Sequence, residues 1–110
     1  MRRPHTYAPH TLDAAKVLGL DVARARRERR WSASDLAERA GISEVTLRKV
    51  ERGDPTVALG IAFEVATLLG IQLFNVEGAA LTGLVERGRE RLTLLPTSVR
   101  EPTGELLDDF

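Results

Sequence analysis

The stretch SASDLAERAGISEVTLRKVERG, running from Ser32 to Gly53, decides the fold. Ser32 stands three residues before Asp35, a variant of the capping box that starts a helix. Leu36, Ala37 and Ala40 then give that short helix one apolar face. Gly41 is placed to stop it in a left-handed conformation. Ile42 is apolar, and Ser43 offers a second N-cap. The next helix reads from Glu44 to about Arg52, with Leu47 and Val50 turned inward. Gly53, Asp54 and Pro55 close it. Ala37 is small where two such helices must cross. Ile42 and Leu47 are apolar where they would face the core beneath the crossing.

Upstream, the pattern is helical from Thr11 to about Arg30. Thr11 is a candidate N-cap, with Asp13 near the positive end of the helix dipole. Leu18, Val22 and Ala25 recur on one face, and Arg24, Arg27 and Arg30 on the other. Trp31 reads as a plug of the core. Downstream, a helix from about Ala58 to Leu69 places Leu59, Ala62, Phe63, Ala66 and Leu69 on one face, and Gly70 ends it. A fifth helix from about Glu77 to Leu94 carries an apolar stripe of Leu81, Leu84, Val85, Leu92 and Leu95. Gly78, Gly83 and Gly88 weaken it in isolation, so it needs a partner surface, and Pro96 ends it. No repeat and no strand of useful length is present. The expected fold is all-α with five helices. Residues 1–10 read as a flexible arm, 11–95 as one domain with a C-terminal dimerisation helix, and 96–110 as an acidic tail ending in Asp108, Asp109 and Phe110.

The chain has 110 residues, enough for one small core. With no cysteine, disulfides, thiolate metal sites and cysteine nucleophiles are excluded. His5 and His10 alone do not make a metal site, which needs three or four ligands, and no cofactor is expected. No nucleophile is paired with a base and no phosphate-binding Gly-rich loop occurs, so an enzyme is not expected. No apolar run approaches the ~18 residues of a membrane span. No apolar segment follows Met1 to His5, so no secretory signal is expected and the expected location is cytoplasmic. The formal net charge is zero, from 16 basic and 16 acidic residues. That zero is a cancellation. Up to Gly53 there are twelve cations against seven acids, and beyond it four against nine. Such a split points to a polyanion-binding half beside an acidic half. Fourteen of the sixteen cations are arginine, whose fork suits phosphate and guanine.

Two short capped helices joined by Gly41-Ile42-Ser43 describe a helix-turn-helix. The segment LAERAGISEVTLRKVERG, Leu36 to Gly53, resembles the Cro/C1-type (Xre family) helix-turn-helix of phage repressors. The ending Val50-Glu-Arg-Gly53 is typical of it. The resemblance to a five-helix, lambda-repressor-like domain covers residues 18 to about 85, and an extended C-terminal tail lies beyond it. A narrower likeness to HipB-like antitoxins rests on ERGDPTVALG (Glu51 to Gly60), RERLTLLP (Arg89 to Pro96) and the Asp-Asp-Phe end. Such antitoxins dimerise, bind their own operator and are held by HipA-type kinase toxins.

The resemblance implies a homodimer on a palindromic operator of double-stranded DNA, with the helix after Ser43 in the major groove. It places Glu44, Val45 and Lys49 at base edges, where they could meet cytosine N4, a thymine methyl and guanine. It places Ser34, Ser43, Thr46, Arg48 and Arg52 near phosphates. Arg27 and Arg30 are further phosphate candidates. The family often has Gln where Ala33 stands, and Ala33 cannot make that contact. Arg26 and Glu51 match a structural salt bridge. Leu81, Leu84, Val85, Leu92, Leu95 and Phe110 would form the dimer or toxin surface. Glu44 could equally serve the helix dipole. A stand-alone repressor without a toxin, and an interaction module that has lost DNA binding, remain alternatives.

Overall fold

The computed structural model describes residues 5–99. Among them the α-helices are α1 (Pro9–Glu28), α2 (Ala33–Ala40), α3 (Glu44–Glu51), α4 (Leu59–Leu68) and α5 (Leu81–Thr93). The chain forms two compact units that divide between Val76 and Glu77. The expected 11–95 domain therefore spans both.

In the first unit, α1 begins at Pro9 rather than at Thr11. Proline suits this position because its missing N–H would be unsatisfied there and its φ is already helical. Residues 9 and 10 thus belong to the helix and not to an arm. The first turn carries no acid, so Asp13 lies too far along for the role expected of it. The helix ends at Glu28, two residues before the expected Arg30. Arg30 adopts φ 59°. The Trp31 N–H then reaches the Arg26 carbonyl at 3.2 Å, and the Arg30 N–H reaches that of Arg27 at 3.0 Å. These two bonds make a Schellman closure without its usual glycine, so no residue type announces it.

α2 starts on a complete capping box. Asp35 N–H donates to Ser32 Oγ and Ser32 N–H donates to the Asp35 carboxylate, each at 3.0 Å. It ends at Gly41, φ 70°. There the Ile42 N–H reaches the Ala37 carbonyl at 3.0 Å. Nothing would crowd a side chain at Gly41, so its requirement is conformational alone. Gly19 is required for the opposite reason. A Cβ on it would lie 2.5 Å from the Val50 carbonyl oxygen and 2.6 Å from that of Glu51. The backbones of α1 and α3 touch there.

Val22, Leu36, Leu47 and Val65 are fully buried, and Ala25, Ala37, Val50 and Leu69 nearly so. Each large aliphatic contributes about 1.5–3 kcal/mol of burial. Leu18, Trp31, Ile42, Ile61, Leu68 and Ile71 pack against this cluster. The inward side of α4 and its C-cap keeps Ala66 and Leu69 of the expected face but is rotated toward Val65 and away from Leu59. Val65, Ala66 and Leu69 are buried and Ile61 and Leu68 half-buried, while Leu59 is exposed. Phe63 lies outside the core cluster and meets Phe74 edge to face at 6.1 Å. α4 is apolar on nearly every side, with Glu64 and Thr67 its polar residues. Periodicity therefore cannot select its inner face.

In the second unit, the expected continuous helix from Glu77 is a 3₁₀ turn, Gly78–Ala80, followed by α5. α5 stops at Thr93, one residue before the expected end, and Leu94 serves as its C-cap. No residue of α5 is buried. Leu81 and Leu84 are half-buried, and Val85, Leu92 and Leu95 are exposed. Phe110 and most of the expected acidic tail lie outside the described residues.

Candidate nucleic-acid interface

The interface is built on α3, and its footing is local. Ser43 caps the helix by accepting the Thr46 N–H at 3.1 Å. The Ser43 hydroxyl in turn donates to Thr46 Oγ1 at 2.9 Å. Its proton is therefore engaged, while the Thr46 hydroxyl keeps its own proton for an outside acceptor. Leu47 and Val50 anchor the inner face in the core. The outer face presents Val45, 65% exposed, with Lys49 and Arg52 also exposed. Ser34 is exposed in the first turn of α2.

The family resemblance gives Glu44 and Arg48 separate tasks, at a base edge and at a phosphate. The structure joins them in a salt bridge across one helical turn. The i, i+4 spacing is the signal that discloses this pair. Exposed pairs of this kind contribute only about 0.3–0.5 kcal/mol, so either side chain can be redirected at little cost.

The base of α3 is tied to α1. Arg26 Nε meets Glu51 Oε2 at 2.7 Å, and Arg26 Nη2 meets Oε1 at 3.1 Å. The remaining Nη1 donates to the Trp31 carbonyl at 3.0 Å. This two-pronged bond to Glu51 raises the pKa of the guanidinium further above its ordinary value, against the opposing effect of burial. Arg26 is thus charged at every accessible pH. The pair holds the end of α3 against the end of α1 and sets the angle at which α3 is presented.

Two features have no counterpart in the sequence reading. Arg29 donates to the Leu69 carbonyl at 2.7 Å and to the Ala25 carbonyl at 3.2 Å. It places a cation at the negative end of α4. Trp31 does pack on the core, but it also lies under two guanidiniums, Arg39 at 4.1 Å and Arg29 at 5.7 Å from the ring centre. No local spacing marks the contacts of Arg29 with Leu69 and of Arg39 with Trp31, since they depend on how separate helices meet.

The helix-turn-helix family model matches residues 22–74. Those residues form a helix-turn-helix domain. The matched segment runs from the middle of α1 to a point beyond α4 and contains the capped pair α2 and α3. No curated protein and no solved structure matches the chain. The helix-turn-helix domain makes this chain a DNA-binding transcription regulator. Among the described residues, no helix is long and apolar enough to cross a membrane.

Proposed function

We propose that this regulator is a sequence-specific autorepressor that acts as a homodimer, and that it is the antitoxin of a type II pair whose toxin is a HipA-like kinase. The exposed face of α3 carries the DNA-reading part. Val45 and Lys49 stand on a helix that is capped at its start and clamped by Arg26 and Glu51 at its end. Glu44, Val45 and Lys49 read bases in this assignment, and Ser34, Ser43, Thr46, Arg48 and Arg52 hold phosphates. The dimer part is supported by α5, where Val85 and Leu92 are exposed on a helix with no buried residue and Leu95 is exposed just beyond it. Together with Leu81 and Leu84 they form the apolar surface through which a second copy would be held. The antitoxin part rests on the likeness of Glu51 to Gly60, Arg89 to Pro96 and the Asp-Asp-Phe end.

The test is a titration of the protein on the DNA upstream of its own reading frame. Retardation at moderate salt that a random duplex does not compete away is the expected result. Its absence would overturn the repressor reading. Light scattering tests the dimer, which Leu92→Asp should dissociate. Co-expression with an adjacent kinase-like reading frame tests the antitoxin reading. A stable complex supports it, and a clean solitary dimer favours a stand-alone repressor.

A further inference from the structure

A groove runs between α1 and α3. Arg24 and Arg27 line it from α1, Arg48 and Arg52 from α3 and its C-cap, and Glu51 is its one carboxylate. That carboxylate is already neutralised by Arg26 at 2.7 Å. Arg27 and Arg52 have no ion-pair partner among the described residues. Arg24 is held only by exposed carboxylates of its own helix, Asp21 at 3.6 Å and Glu28 at 3.3 Å. Arg48 is held in the same way by Glu44. Such pairs are weak and exchange readily for a stronger anion. Arg27 and Arg52 thus bring charge without a paired carboxylate to the cleft, and the planar forks of all four guanidiniums match phosphate oxygens.

We infer that this groove seats phosphate of the DNA backbone, so that α1 joins α2 and α3 in contacting the DNA. The inference rests on the reading of α3 as the DNA-entering helix, because Arg48 and Arg52 belong both to its solvent-facing side and to the groove wall. The strand that flanks α3 in the major groove then runs along the cleft. Arg24 and Arg27 hold it from the far side, and they fix the depth and tilt of α3 without reading sequence.

The experiment measures binding against salt for wild type, for Arg24→Ala with Arg27→Ala, and for Arg89→Ala with Arg91→Ala. The last variant loses the same charge outside the groove. The probes are the upstream DNA and a duplex of random sequence. Each lost phosphate contact lowers the log–log salt slope by about 0.9. The α1 variant should lose about 1–2 in slope and weaken by a similar factor on both duplexes, with helicity unchanged. The α5 variant should keep the wild-type slope. A wild-type slope in the α1 variant would overturn the inference while leaving the repressor reading intact; a groove reserved for an acidic protein segment gives that result. Equal loss in both variants would also overturn it, by showing only an effect of total charge. Failure of wild type to bind either duplex would remove both readings.

Discussion

Truncating Glu51 to Ala tests how the end of α3 is held. The Arg26 guanidinium makes three bonds, two to Glu51 and one to the Trp31 carbonyl. The substitution removes the two that are charge-assisted. The side chains are only 12% and 14% exposed, so little water can replace the lost carboxylate. Breaking a fully buried pair costs about 3–5 kcal/mol, and the residual exposure brings the figure here to about 3 kcal/mol. A unit of this size has a total stability on the order of 4–11 kcal/mol, so the loss is a large share of it. The thermal midpoint should fall by roughly 12–24 °C. Urea melts followed by helical circular dichroism measure the change, since urea leaves ionic strength constant. The double variant Arg26→Met with Glu51→Leu should recover most of the stability, because no uncompensated charge remains. It should stay about 1 kcal/mol short, since the Trp31 carbonyl loses its donor. A loss below about 0.5 kcal/mol for Glu51→Ala would refute the reasoning, as that is the behaviour of an exposed pair. So would a wild-type pair that about 1 M salt abolishes, because buried pairs are weakly screened.

Gly19→Ala should destabilise by about 1–3 kcal/mol in the same melts, since its Cβ would meet backbone carbonyls that cannot move aside. Arg30→Gly should stabilise by up to about 1 kcal/mol, because φ 59° strains a side chain there. Asp35 is held below the usual carboxylate range by the Ser32 backbone N–H and hydroxyl, and Asp54 by the Thr56 hydroxyl and N–H. Their stabilisation is therefore complete above about pH 4 and is lost as pH falls through the lowered folded-state values. Asp35→Ala and Asp54→Ala should each flatten the acid limb of the urea midpoint plotted against pH. In DNA titrations, Lys49→Ala should lose discrimination between operator and random duplex. Arg52→Ala should instead weaken binding to both and lower the salt slope by about 1.

Ser32, Asp35, Gly41 and Ser43 announce the boundaries of α2 and the start of α3 because their chemistry is local. A hydroxyl or carboxylate reaches an N–H three residues away whatever the rest of the chain does. Leu47 and Val50 are legible as inward for the same reason, since polar residues surround them and leave one face for the core. Where local signals fall silent, the structure departs from expectation. No cap residue marks the start of α1, where Ala8 has no capping side chain and Pro9 supplies only a helical φ. No glycine marks its end at Arg30. The groove carries no motif either, because its two pairs of arginines stand 21 to 28 residues apart in sequence and meet only when α1 and α3 cross.

The helix-turn-helix is written in the residues themselves, since capping, turn and helical periodicity are settled within a few positions. The unequal distribution of charge is legible in the same way, being simple composition. Which side of α4 is buried, the closure of its end by Arg29, and the approach of Arg24 and Arg27 to Arg48 and Arg52 emerge only when the helices pack. Those outcomes depend on the closeness with which α1 and α3 cross at Gly19 and on the packing of an all-round apolar helix. Contacts between distant segments are chosen by shape and burial summed over the whole core, and no short stretch of residues carries that sum.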